Sequence, residues 1–456
     1  MNWILFLALA LILARLAAEL WLSRLNQQHV RERAASVPDD LKEVLDPATY
    51  TKAVEYTLAK AKLGQVEDLW SAGVLLALLL SGALPKAFGV WSSAVGHAAW
   101  ADAVFLLLVA VVVAIAGLPL DWHAQFRLEE RFGFNTTKPA TWWLDHVKGF
   151  ALLWLLGWPL LALILKVVDW IGPDWWLWAW LAMLGFQLAM FLLAPVLILP
   201  LFNKFTPLAA GTLRDRMLGL ARRTGFRARD VFVMDGSRRS RHSNAFFTGL
   251  GRFRRIVLFD TLIQQLTEPE LEAVLAHEIG HFKRKHVLKM LAGSALSALI
   301  GFYVVAWLAG QAGFARSFGF DGGGVTPTLL LAGLLGGAVS FWLSPVRNRW
   351  SRRHEYEADR FAAEAMGETG SLIGALRKLN RENLSNPAPH PLYSAFYYSH
   401  PTLPERERAL KRPGQNAPPL PPPPDMAPGR LTIDWRRMAV VYGQRTPNIG
   451  TRVCLT

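Results

Sequence analysis

Seven stretches of about 20 mostly apolar residues recur along the 456-residue chain, each the length an α-helix needs to cross hydrocarbon. They cover residues 3–22, 69–91, 100–120, 150–171, 175–199, 287–310 and 326–343. Any one of them would pass as a buried core helix, but a soluble chain of this length could not bury all seven. The pattern predicts a mainly α, polytopic membrane protein with seven transmembrane helices. The first stretch is expected to be a retained span, because no Lys or Arg precedes it and Arg15 and Glu19 interrupt it.

Two parts of the chain lack this pattern. Within residues 201–286, "DVFVMDGS" and "RRIVLFDTLI" have the short apolar runs of strands, with "RHSNAFFTGLG" a Gly-bounded strand between them. "TEPELEAVLAHEIGHFKRKH" then starts a helix: Thr267 can cap it, Glu270 stands where a capping box needs it, and Pro269 falls in the tolerant first turn. One continuous or barely bent helix is expected from there into the sixth span. After the seventh span, "VRNRWSRRHEYEADRFAAEAMG" predicts another helix, ended by Gly367. The tail "RPGQNAPPLPPPPDMAPG" has the composition of an extended linker. The expected organisation is five spans in 1–200, a small α+β catalytic region in 201–286 and two spans in 287–345. A second catalytic helix with its following elements occupies 346–412, and a Pro-rich tail 413–456.

Composition sharpens this picture. The chain is 52% hydrophobic and only 18% charged, with 19 Trp, which is poor in charge for a soluble domain. Its net charge of +14 could suggest nucleic acid, but the basic residues crowd into alternate connections. Arg24 to Lys62 follow span one, Arg127 to Lys148 span three, Arg214 to Arg255 span five and Arg347 to Arg353 span seven. That placement predicts a lipid bilayer as partner and no nucleic acid, with the N-terminus outside and the catalytic region and C-terminus cytosolic. The single cysteine, Cys454, rules out an intramolecular disulfide and Cys-ligated metal, and "CLT" is too short for a prenylation box.

The chemistry begins at His277, Glu278 and His281, an H-E-x-x-H on the expected helix. Residues four apart share a helical face, so both imidazoles can reach one ion. Glu278 points instead at the fourth coordination position, where water sits. Zinc with three protein ligands lowers that water's pKa to about 7, and Glu278 can take the proton and pass it to a leaving amine. For the third ligand, a metzincin would need Gly and His where Arg284 and Val287 stand, and His286 is expected to point off the metal face. "HEYEAD" offers three carboxylates, Glu355, Glu357 and Asp359. Glu355 shares its face with Ala358, Asp359 and Ala362, which allow close helix packing, whereas Glu357 lies among charged residues. Glu355 is therefore the expected ligand, with Asp359 one turn on accepting a hydrogen bond from a ligand imidazole.

H-E-x-x-H, followed by E-x-x-x-D after one hairpin of spans, resembles the type I CAAX prenyl proteases, integral-membrane zinc endopeptidases. "FRLEERFGFNTTKP", "PLFNKFTPL", "SRRSRHSNAFFTGLGRFRRIVLFDTLI" and "SHPTLPERERAL" resemble segments of that family in the same order. The resemblance implies one Zn2+ per chain, held by His277, His281 and Glu355 with Glu278 as general base. It also implies seven helices around a water-filled chamber, a gluzincin-like catalytic region, and a peptide or protein substrate with a lipidated or hydrophobic C-terminus. Asn244 matches a residue near the substrate strand. His400 matches a histidine that stabilises the oxyanion or holds substrate, and Arg406 a basic position after it. The loop "LEERFGFN" is expected to help close the chamber.

Other readings compete. A quality-control protease like HtpX shares both zinc motifs. Site-2 proteases carry theirs inside an apolar span, whereas Lys283, Arg284 and Lys285 follow directly here. A scaffold or transporter with structural zinc would need a fourth protein ligand and would leave Glu278 without a task.

Overall fold

The structure, a computed structural model, describes residues 3–248 and 254–411; the Pro-rich tail lies outside the described residues. Six helical stretches are long and apolar enough to cross a membrane: Trp3–Glu32, Pro47–Leu80, Ala99–Phe132, Pro139–Phe202, His286–Ala309 and Val325–Met366. The fourth is interrupted at Gly172 (φ 73°) by a single turn, Gly172–Asp174, so its legs Trp158–Ile171 and Trp175–Leu193 pack on one another. The seven expected apolar segments are thus present within six stretches. In the apolar windows of these helices only 6% to 22% of residues are buried, while Trp3, Leu155 and Val346 are 67%, 68% and 72% exposed. A soluble fold turns such residues inward, so lipid is the solvent these faces require.

Two boundaries differ from expectation. The second span was expected over 69–91, but its helix begins at Pro47, where Asp46 caps it by accepting from Ala48 N and Thr49 N at 3.0 and 2.9 Å. It stops at Leu80 because Gly82 adopts φ 68°, and Ala83–Val95 is a separate helix.

Among the described residues the catalytic region contains four strands: β1 (Phe205–Pro207), β2 (Ala228–Met234), β3 (Ala245–Thr248) and β4 (Arg254–Phe259), in the order β1-β2-β4-β3. β2 and β4 are parallel, with Val231 opposite Ile256, whereas β3 runs antiparallel to β4, with Ala245 opposite Leu258. β3 therefore forms an edge of the sheet. Val231, Ile256 and Leu258 join Leu271, Val274 and Ile279 in one core, which seats the motif helix on the sheet.

That motif helix, Glu268–Lys283, starts from the expected capping box: Glu270 Oε2 accepts from Thr267 N at 2.8 Å. It does not continue into the sixth span. Lys285 adopts the left-handed conformation (φ 55°), and the span helix His286–Ala309 starts anew. This conformation costs a side-chain-bearing residue about 1–2 kcal/mol. The second polar helix, Ser344–Met366, ends at Gly367 (φ 72°) as expected.

Candidate active site

Three acceptor atoms converge where the motif helix crosses Ser344–Met366. His277 Nε2 and His281 Nε2 stand 3.1 Å apart, and the Glu355 carboxylate is 3.4 Å from the first and 3.3 Å from the second. Zinc with bonds of about 2.0–2.1 Å to a tetrahedral ligand set needs ligand atoms separated by about 3.3 Å. The chemistry of the atoms agrees with that fit. His277 Nδ1–H donates to Asp359 Oδ1 at 2.8 Å, so in the neutral ring Nε2 is the atom with the lone pair. Glu355 Oε2 is buried and accepts no hydrogen bond from the described residues, a costly state unless a cation satisfies it. These residues fit a metal ion.

The helices meet so closely because of two small residues. A Cβ on Gly280 would come within 3.0 Å of both Cα and O of Ala358, so the backbones are in contact at the H-E-x-x-H turn. Behind these three residues, Arg406 grips Asp359 with both arms, Nε to Oδ2 at 2.8 Å and Nη2 to Oδ1 at 2.5 Å. Arg406 and Asp359 are each only 2% exposed, and the helix Leu403–Leu410 that carries Arg406 has its own capping box at Thr402. This ion pair pins the end of the described chain against His277.

The other expected residues fall at different distances from this centre. Glu278 is partly exposed beside the ligands, and burial holds its carboxyl above the ordinary range while His281 and His277 act in the opposite direction. His400 Nε2 is 3.4 Å from Glu355 Oε1, and its Nδ1 is 2.9 Å from Ser399 Oγ. Burial pushes its imidazole below the usual value against the pull of Glu355, which favours the neutral ring. Asn244 stands at the head of β3; its Oδ1 accepts from Ala245 N at 2.8 Å and its carbonyl accepts from Phe259 N at 3.1 Å. The loop "LEERFGFN" is tied to the segment leading into β3. Arg241 N donates to Phe134 O at 3.1 Å, Phe134 stacks on His242 at 4.2 Å, and Tyr56 donates to Glu129 at 2.7 Å.

Sequence reasoning missed one partner of the centre. His286 does not point away: its Nδ1 is 3.0 Å from His281 Nδ1, and its Nε2 is 3.0 Å from Glu357 Oε2. In an unbroken helix, five residues would place it about 140° from His281. The left-handed turn at Lys285 brings it back. Glu357, which the sequence sets among charged residues, is correspondingly held by His286 and by Arg353 at 3.1 Å. The two contacts of His286 have no local sequence signal beyond the presence of a third histidine, whereas Arg353–Glu357 is an i,i+4 helix pair.

Comparison with known proteins finds matches along nearly the whole chain. A family model described as CAAX prenyl protease N-terminal, five membrane helices, matches residues 26–204, and one for peptidase family M48 matches residues 207–413. CAAX prenyl protease 1 of Saccharomyces cerevisiae is 35% identical over 431 residues, which cover 87% of this chain and 93% of the relative. The Homo sapiens CAAX prenyl protease 1 homolog is 31% identical, covering 85% and 91%. An uncharacterized metalloprotease of Bacillus subtilis, YhfN, is also 31% identical, covering 84% and 92%. The crystal structure of S. mikatae Ste24p matches with a TM-score of 0.83 at 33% identity, over 89% of this chain and 98% of that one. The chain belongs to peptidase family M48, as a multi-pass membrane metalloendopeptidase of the CAAX prenyl protease type.

Proposed function

We propose that the chain is a zinc endopeptidase that cuts proteins near a lipidated C-terminus, with His277, His281 and Glu355 holding the ion. The convergence of these three acceptor atoms beside the partly exposed Glu278 carries the reading. Zinc bound there would supply Lewis acidity for the scissile carbonyl and bring a water's pKa to about 7. Glu278 takes the proton of the attacking water and delivers it to the leaving amine. The Nε2–H of neutral His400, its Nδ1 engaged by Ser399, donates to the oxygen that gains charge. Arg406 and Asp359 keep His277 in its tautomer and do not touch substrate. The open edge of β3, headed by Asn244, offers main-chain groups to an extended peptide. Polar groups within the helical bundle, among them Arg15 paired with Glu19 at 2.9 Å, support a wet chamber for that peptide. The alternating basic connections support a cytosolic site with the N-terminus outside.

The test is cleavage of a matched pair of CAAX peptides, farnesylated and bare, by detergent-purified protein with and without a chelator. Cutting of the farnesylated peptide alone, abolished by chelation and restored by Zn2+, is the expected result. Equal cutting of both would remove the lipid from the proposal and leave general membrane proteolysis. Chelator-insensitive cutting would remove the metal.

The Gly280 contact provides a second check. Gly280→Ala has to move the Ser344–Met366 helix, and Glu355 with it. The 3.0 Å contacts require a shift of a few tenths of an ångström; since about 1 Å at reacting groups can cost about 100-fold, hydrolysis is expected to fall by roughly threefold to tenfold with helicity retained. An unchanged rate would show that this crossing has slack.

A further inference from the structure

We propose that His286 and Glu357 form a positioning relay for the metal ligand His281, one imidazole longer than the direct Asp359–His277 pair. The inference rests on the zinc reading above but concerns residues that reading does not use.

The tautomers follow from the contacts. Glu357 Oε2 lies 3.0 Å from His286 Nε2, and a carboxylate can only accept there, so His286 carries its proton on Nε2. Its Nδ1 then presents a lone pair to His281 Nδ1, 3.0 Å away, and that contact is a hydrogen bond only if His281 donates. A neutral His281 protonated on Nδ1 has its lone pair on Nε2, the atom that faces His277 and Glu355. The relay therefore sets the ring nitrogen that a metal requires.

Geometry explains why an imidazole intervenes. Glu357 lies two residues beyond Glu355 and about 200° further around the same helix, so it cannot face His281 directly. His286 spans the gap, and it is held as a positioning group should be. It is 1% exposed, and its ring stacks on His354 at 4.1 Å with an interplanar angle of 11°. His354 in turn packs against Trp350 at 5.2 Å. Glu357 is flanked by Arg353 at 3.1 Å and Lys289 at 3.7 Å. The left-handed Lys285 is what delivers His286 to this place, so the helix break has a use at the site.

The alternative is that His286 only fills space against His354. Two substitutions separate these roles. His286→Phe keeps a ring for stacking and removes the acceptor. His286→Asn loses the ring and keeps an oxygen near the position of Nδ1. Zn2+ affinity of the full-length, detergent-purified protein would be measured by competition with a chromophoric chelator, with the melting temperature of the metal-free protein alongside. Loss of such a partner typically weakens metal binding 10–100-fold. His286→Phe is expected to weaken Zn2+ by that factor with its metal-free melting unchanged, and His286→Asn to stay within about threefold of the parent.

Parent-like affinity in His286→Phe would overturn the relay, and so would equal weakening in both variants. Should His286→Phe not fold, Glu357→Ala and Glu357→Gln carry the test. A loss of roughly threefold to tenfold in the first, recovered in the second, supports the relay, and identical affinities overturn it. Failure of the parent protein itself to bind Zn2+ would overturn the zinc reading and the relay together. Failure of the relay alone leaves the parent's Zn2+ binding intact.

Discussion

Glu278→Gln is expected to lower peptide hydrolysis by about 10²–10⁴-fold, the range for removal of a general base, while zinc content stays that of the parent. The substitution keeps the size of the side chain and its capacity to hydrogen-bond, and removes only the ability to hold a proton and release it. Because His277, His281 and Glu355 are untouched, metal analysis on the same preparation separates loss of base from loss of ion. The fall should appear in kcat more than in KM, since Glu278 acts on the attacking water and not on substrate binding. Activity within tenfold of the parent would place the base elsewhere, with His400 the next group to test.

The second large effect is on stability. Arg406→Ala leaves Asp359 buried with His277 as its remaining partner, because Arg406 supplies two of the contacts to that carboxylate. Removing one member of a buried ion pair costs about 3–5 kcal/mol, most of it from the charge left behind. The variant should unfold at clearly lower denaturant concentration, and metal affinity should drop with it as His277 loses its fixed orientation. Arg406→Lys restores the charge without the two-armed geometry and is expected to fall between. Unfolding of Arg406→Ala at the parent's midpoint would show that water reaches Asp359 and that the pair contributes little.

Much of this architecture could be read from the chain because it is encoded locally. Apolar length marks the spans, Thr267 and Glu270 mark the start of the motif helix, and Gly367 marks the end of the helix carrying Glu355. The choice of Glu355 over Glu357 followed from small neighbours on one helical face, and the Gly280–Ala358 contact is the physical counterpart of that pattern. The rest depends on contacts between distant residues. Lys285 breaks a helix without being Gly or Pro, so no propensity announces it, and the partner of His286 lies 71 residues further on. Asn244, His400 and Arg406 drew attention only through family resemblance. Of these, Arg406 and His400 approach the ligand cluster, whereas the side chain of Asn244 bonds within its own strand. β1 escaped notice because three residues ending in Pro carry no alternation.

The unequal burial of the two imidazoles gives the proposed metal site one open side. The His277 side chain is 1% exposed and that of His281 20%. An ion held by both rings and Glu355 would enter and leave past His281, while His277, braced by Asp359, closes the far wall. Exchange of the ion would then respond to what covers His281 and not to what lies behind His277.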